Sequence, residues 1–182
     1  MKSVAIYCAA KLGNQPIYEE KAKQLATYLA QQNIQVIYGG AKIGIMGAVA
    51  QTTMQNGGQV IGVMPKFLVD KEIANSDITE LIITENMSQR KYKMIELADG
   101  FIALPGGFGT LEEIFEVITL AQVEQLNKPI AFYNIDNYYT PLFQFLENCV
   151  KTGLLHQKHF DLVIIDADYE SLLNRMINHK KQ

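Results

Sequence analysis

The chain is poor in the residues that most readily declare a function. It has two cysteines and three histidines among 182 residues. Cys8 and Cys149 form no recognisable disulfide framework, so a reducing cytoplasm is the expected setting. His156, His159 and His179 fall late in the sequence without metal-ligand spacing, and no zinc or iron centre is expected. No apolar run approaches the ~20 residues that span a bilayer, so no membrane association is expected. Nor is there an excess of basic residues: 16 Lys and Arg stand against 19 Asp and Glu, a net charge of -3. That balance leaves no basic stripe to release counterions from a nucleic acid, and no nucleic-acid partner is expected. The pairs Lys21/Lys23 and Lys180/Lys181 read as solvated faces. The G-x-S-x-G elbow of serine hydrolases is missing, and Ser88 is the only serine in a candidate site segment. Chemistry is thereby left to carboxylates, guanidinium, backbone dipoles and water. Met1-Lys2 runs directly into the β-like Ser3–Tyr7, which is too short for a signal peptide.

What is present is a regular alternation. Apolar residues make up 48% of the chain, enough for one domain over residues 1–182 with a substantial core. Short apolar runs predict strands at Val4–Cys8, Gln35–Tyr38, Gln59–Val63, Glu80–Thr84, Gly100–Leu104, Ile130–Tyr133 and Leu162–Ile165. Helical periodicity predicts helices at Ile17–Gln32, Ile43–Asn56, Met87–Ala98, Thr110–Gln125, Tyr138–Thr152 and Tyr169–His179. Asn33, Gly57-Gly58 and Gly153 sit where C-caps belong. Strands alternating with helices imply parallel pairing, hence an α/β, doubly wound Rossmann-like sheet of about seven strands with helices on both faces. Ligands in such folds bind beyond the C-terminal strand ends. Four loops leave strands there: Cys8–Gly13, Gly39–Gly47, Pro65–Glu72 and Pro105–Thr110.

The most informative stretch is PGGFGTLEE, Pro105 to Glu113. A strand that turns through glycines into a helix can hold an anion, because backbone N–H groups approach it and the helix dipole favours it. Thr110 to Glu113 also fits a capping box, which needs no catalysis. On the predicted helix Leu111, Ile114, Phe115 and Ile118 form the buried face, and Glu112 and Glu113 diverge by about 100°. One of the two can face a pocket while the other faces solvent. The second glycine loop, GGAKIGIMG from Gly39 to Gly47, is neither a P-loop nor a dinucleotide fingerprint. Close helix–strand packing explains it as well as ligand binding does. In NMSQRKYKM, Met87, Met94 and Ala98 mark an apolar stripe that Arg90 and Lys91 flank. Two cations near a helix start are unfavourable by ~0.3–1 kcal/mol. A bound anion would offset this, though by themselves these residues read more readily as solvated, with their stems lying on the stripe. Cys8 reads as a small buried hydrophobe.

Together these segments resemble the Lonely Guy (LOG) family, often mislabelled as lysine decarboxylases. Its P-G-G-x-G-T-x-x-E motif is met by Pro105, Gly106, Gly107, Gly109, Thr110 and Glu113, and its Arg-Lys pair followed by Met by Arg90, Lys91 and Met94. VMPKFLVDKEI, Val63 to Ile73, and KPIAFYNIDNYYTPL, Lys128 to Leu142, also look familial. The resemblance implies a cofactor-free, usually dimeric phosphoribohydrolase. Such an enzyme splits an adenine nucleoside 5′-monophosphate, with or without an N6-prenyl group, into free base and ribose 5-phosphate. It further implies Arg90 and Glu113 as the catalytic pair. The implied substrate-binding set is Glu72, Lys91, Gly106, Gly107, Phe108, Gly109, Thr110, Leu111, Glu112 and Thr119, with Gly40, Gly44, Met46 and Gly47 from the second loop. Departures from the family are Cys8-Ala9-Ala10-Lys11 in place of C-G-S-S, Ser88 in place of His, and Leu120 in place of Trp. The alternatives are a nucleotide sensor that does not hydrolyse, or a carrier of a phosphorylated pterin cofactor.

Overall fold

The computed structural model describes residues 1–69 and 73–179. Its centre is one parallel sheet built from β1 (Ser3–Tyr7), β2 (Gln35–Tyr38), β3 (Val60–Pro65), β4 (Glu80–Thr84), β5 (Phe101–Ala103), β6 (Ile130–Tyr133) and β7 (Val163–Asp166). The strand order is β4-β3-β2-β1-β5-β6-β7. Every pairing is parallel, as the alternation of strands and helices predicts. The helices are α1 (Pro16–Gln31), α2 (Gly44–Gln55), α3 (Lys66–Val69), α4 (Met87–Leu97), α5 (Phe108–Gln122), α6 (Thr140–Lys151), α7 (Gln157–Phe160) and α8 (Tyr169–Ile177).

The central strands are buried on both faces, and their alternate residues feed two separate cores. Val4, Ile6, Val36 and Tyr38 join Leu25 and Leu29 of α1, Val49 of α2 and Leu172 of α8. Ala5, Tyr7, Ile37 and Phe101 point the other way, to Met94 of α4, Ile114 and Val117 of α5, and Phe143 of α6. The sheet is thus covered on both faces, as a doubly wound architecture requires.

Helix ends follow local chemistry. Beyond α1, Asn33 takes φ 55, and the N–H groups of Asn33 and Ile34 return to the carbonyls of Ala30 and Leu29. This is a Schellman closure. Gly57 after α2 and Gly153 after α6 close their helices in the same way. The fourth such closure was not visible in the sequence. Glu124, neither Gly nor Asn, adopts φ 60 and ends α5 at Gln122, three residues short of the predicted Gln125.

The start of α5 corrects a second expectation. The helix begins at Phe108 with Gly107 as N-cap and no side-chain cap bond. Thr110 is therefore inside the first turn, and Thr110 and Glu113 do not form a capping box. The glycines, not the threonine, make the strand-to-helix turn. A smaller shift is at α3, a short helix within the loop predicted to run from Pro65, which itself ends β3.

One glycine fixes how the two central loops meet. Gly44 has φ +65, and a Cβ there would lie 2.2 Å from the Ala10 carbonyl carbon and 2.3 Å from the Lys11 nitrogen. Gly57 has φ +75 but open space around it. Gly57→Ala should therefore cost only the left-handed penalty, about 1–2 kcal/mol. Gly44→Ala adds a backbone collision and should cost about 3 kcal/mol or more. Urea unfolding of both variants checks this; equal losses would show that the loop contact at Gly44 is not tight.

Candidate active site

The strand order reverses between β1 and β5: β1 continues to β2 on one side, and β5 continues to β6 on the other. That switch point is where open α/β sheets hold ligands. A cleft of about 480 Å³ opens there. Its walls come from the loop after β1 (Cys8 to Lys11), Gly39 after β2, Met64 at the end of β3, Arg90 of α4, and Gly107 to Glu113 at the start of α5. The loops are tied together by backbone bonds. The Ala9 N–H donates to the Pro105 carbonyl at 3.3 Å, and the Ala9 carbonyl accepts from the Met46 N–H at 3.3 Å. Tyr138 and Tyr139, beyond β6, donate their hydroxyls to the carbonyls of Gly106 (2.8 Å) and Leu104 (2.6 Å). The β5–α5 turn is thereby held from both sides.

At the floor of the cleft lies an ion pair. Arg90 Nη1 stands 2.7 Å from Glu113 Oε1. Both residues are buried, at 8% and 7% exposure. Arg90 is thus not a solvated flank of the α4 stripe. It occupies the buried face itself, one turn before Met94, with Nε donating to the Val63 carbonyl at 3.0 Å. Gly39 makes room for it, since a Cβ there would lie 2.3 Å from Arg90 Nη2. Asn86 caps α4 by accepting from the Gln89 N–H at 2.9 Å, which fixes the turn that carries Arg90.

Burial pushes the Glu113 carboxyl above the ordinary glutamate range, and the Arg90 guanidinium only partly opposes it. Burial and the Glu113 charge likewise push up the Tyr7 phenol and the Cys8 thiol. Both therefore stay neutral beside the cleft, and Cys8 is the buried apolar residue that its sequence context suggests. Among the described residues, the site has one carboxylate, one guanidinium and no activated thiol.

The start of α5 supplies the other half. The first backbone N–H groups of a helix have no partner within it, and they point out of the helix end. Here they are those that follow Gly107, on the cleft wall. Among the described residues, a Cβ added at Gly107 or Gly109 would meet nothing within 4 Å. No described neighbour therefore excludes a side chain at these two positions; an occupant that approaches the backbone closely would. Gly106 differs, because a Cβ there would lie 2.0 Å from Thr110 Oγ1. An anion at the helix end with a carboxylate and guanidinium beside it is what this arrangement can hold.

The structure separates the sequence-predicted residues into groups. Arg90, Glu113, Gly107, Gly109, Thr110 and Met46 line the cleft. Gly106 is not among the lining residues, and its carbonyl accepts from the Tyr138 hydroxyl, while Phe108 is 94% exposed and Leu111 packs against the α5 core. Gly40, Gly44 and Gly47 serve packing: they abut Met64, the Ala10–Lys11 backbone and the Lys42 carbonyl. Lys91 is drawn away from the cleft, pairing with Glu112 and with Glu116 at 3.1 Å. With Thr119 these residues line a separate shallow cleft of about 390 Å³. Glu72 lies outside the described residues. Gly39, Lys11, Met64, Leu68 and Ile73 line the main cleft but were not among the predicted site residues. Gly39 carried a signal as the first residue of a Gly-Gly pair at a strand end. Met64 and Leu68 carried none, being ordinary apolar residues.

Fold and site together define a Rossmann-like protein whose cleft suits a small phosphorylated ligand. Comparison with known proteins narrows this. Residues 46–176 match the family described as possible lysine decarboxylases. A cytokinin riboside 5′-monophosphate phosphoribohydrolase of Arabidopsis thaliana is 40% identical over 172 residues, covering 94% of this chain and 81% of that protein. A probable enzyme of the same name from Oryza sativa is 36% identical over 181 residues, covering 100% of this chain and 74% of that protein. The chain belongs to this family. Among solved structures, the molybdenum cofactor binding protein of Rippkaea orientalis superposes with a TM-score of 0.70 at 21% identity, covering 97% and 96% of the two chains. At that identity the likeness concerns the fold.

The open space at Gly109 sets up a separation of stability from binding. Gly109→Ala replaces a helical glycine and should keep or raise stability, by up to ~1 kcal/mol. It should weaken binding of a 5′-monophosphate by about tenfold or more, as a methyl group displaces the anion. Calorimetric titration beside thermal melting reads both. Unchanged affinity would remove the helix start from the ligand site.

Proposed function

We propose that this protein is a nucleoside 5′-monophosphate phosphoribohydrolase. It hydrolyses the N-glycosidic bond of adenine nucleoside 5′-monophosphates, with or without an N6-prenyl group, and releases free base and ribose 5-phosphate. The relatives named for this reaction support the reading. The observation in the chain itself that carries it is the buried Arg90–Glu113 pair set beside the open start of α5.

The reaction passes through an oxocarbenium-like transition state in which positive charge grows on the ribose. Glu113 supplies the matching negative charge and orients the attacking water. Its burial strengthens that effect, because the surrounding dielectric is low. Water adds its hydroxyl to the sugar C1′, and its remaining proton goes to the departing base. Arg90 holds the carboxylate in place through a guanidinium fixed at Val63. The N–H groups at the start of α5, with Thr110, take the phosphate. Binding energy spent on that remote group positions the bond to be broken. Lys91, Glu112 and Thr119, implied as substrate contacts by the family resemblance, would act from the neighbouring cleft.

A non-hydrolytic carrier or sensor would use the same fold and the same anion cradle. A carboxylate held buried at the cleft, where positive charge would develop on a sugar, together with the relatives named for hydrolysis, favours the enzyme. Incubation with AMP should release adenine, and AMP should be cleaved far better than adenosine. Glu113→Gln should lower turnover ~100-fold or more, the order of magnitude for a positioned acid–base group. The pH profile gives a second reading. Glu113 must be ionised, so kcat/KM should fall as pH drops through its carboxyl pKa. That limb should lie above the ordinary ~4.3 of glutamate, because burial raises the pKa. Wild-type turnover in Glu113→Gln would remove the carboxylate from the mechanism.

We also place the working enzyme in the cytoplasm as a homodimer. Support for the dimer comes from the family resemblance and from Tyr92 on α4 and Phe108 on α5, which are 71% and 94% exposed in the single chain. Light scattering should give twice the 20.4 kDa chain mass. A fully active particle of single-chain mass would rule out the dimer.

A further inference from the structure

We propose that Lys11 is the cation that anchors the 5′-phosphate in this chain. The inference rests on the reading of the cleft as a phosphate-ester site and adds a residue that reading does not supply. Among the described residues, the charged ones that line the cleft are Lys11, Arg90 and Glu113. Arg90 and Glu113 neutralise one another at 2.7 Å, and Arg90 Nε is committed to Val63. Lys91, the other cation near α5, is engaged by Glu112 and Glu116 outside the cleft. Among the described residues no carboxylate lies within ion-pair distance of Lys11. A phosphate monoester carrying ≈ −1.5 to −2 charges at neutral pH therefore finds one uncommitted cation among the described residues that line the cleft, Lys11.

Its placement is fixed by backbone contacts. Lys11 follows the β1 strand end, across the switch point from the start of α5. Ala9 bonds to Pro105 of the glycine turn and to Met46 of α2, each at 3.3 Å. The Lys11 nitrogen lies so close to Gly44 that a Cβ there would approach to 2.3 Å. The lysine thus rises from a loop pinned to both glycine loops, with an exposed stem free to swing its ammonium over the anion. Ala9 and Ala10 carry no hydroxyl or charge. What this loop can offer a phosphate through its side chains is the ammonium of Lys11, a compact point charge on a flexible stem. Recognition of this kind weakens with salt, since the head group is in contact with water.

The test uses the full chain and ribose 5-phosphate as the probe, titrated by calorimetry. Lys11→Gln should weaken binding about tenfold or more, the loss of one charge-assisted contact. Lys11→Arg, which keeps the charge, should stay within about threefold of wild type. Raising salt should weaken wild-type binding more steeply than binding by Lys11→Gln. Affinity of Lys11→Gln within about twofold of wild type, in a protein that melts normally, overturns the proposal. Release of adenine from AMP is followed alongside. Wild-type protein that binds ribose 5-phosphate through Lys11 but leaves AMP intact sinks the hydrolase and not the anchor. AMP hydrolysis with unaltered binding by Lys11→Gln sinks the anchor alone. Wild-type protein that binds neither AMP nor ribose 5-phosphate overturns both.

Discussion

The site depends on one buried ion pair. Arg90 and Glu113 come from different helices on the same face of the sheet, and each is almost fully removed from water. Two unpaired charges in that position would each cost several kcal/mol, and removing one partner from such a pair typically costs 3–5 kcal/mol. The surroundings are arranged to keep the pair together. Gly39 leaves space for the guanidinium, Val63 offers it a carbonyl, and Asn86 caps the helix that presents it. A pair of this kind is a poor way to gain stability, because apolar residues of the same volume would often serve better. Its value lies in holding a carboxylate desolvated and oriented where a ligand can reach it.

The second constraint is steric. The start of α5 and the loop after β1 face each other where the strand order reverses, and glycines allow both to approach closely. They do so for different reasons. Gly44 is demanded by the fold, since a side chain there would strike the Ala10–Lys11 backbone. Gly107 and Gly109 are not demanded by any described neighbour. The contrast divides glycines that build the cleft from glycines that keep it open, a division that composition alone does not make. It also explains why the second glycine loop, despite its residue pattern, lines the cleft mainly through Gly39, Ala41 and Met46.

The sequence by itself determined the architecture, and its resemblance to a family pointed to the central pair. Parallel strands followed from alternating short apolar runs and helical periods, because a strand covered on both faces must be apolar throughout. Asn33, Gly57 and Gly153 marked three helix ends, because a left-handed residue is easiest for Asn or Gly. The family's P-G-G-x-G-T-x-x-E motif and its Arg-Lys pair drew attention to Glu113 and Arg90, while the residue types alone also fitted a capping box and a solvated flank. Tertiary structure decided the rest. Glu124 ends α5 in a conformation that glutamate disfavours, a choice its local sequence did not signal. Arg90 could be read as a solvated flank because periodicity places residues on faces but does not say which face a charge can afford; the answer depended on Glu113, 23 positions away. Lys91 follows Arg90 in sequence yet turns to Glu112 and Glu116, because adjacent helical residues point about 100° apart and only one of them faces the cleft. Lys11 stood out in the sequence only as a departure from a family pattern. Its position across from the start of α5 arises when β1 and β5 pair, a contact between segments far apart in the chain that no local pattern encodes.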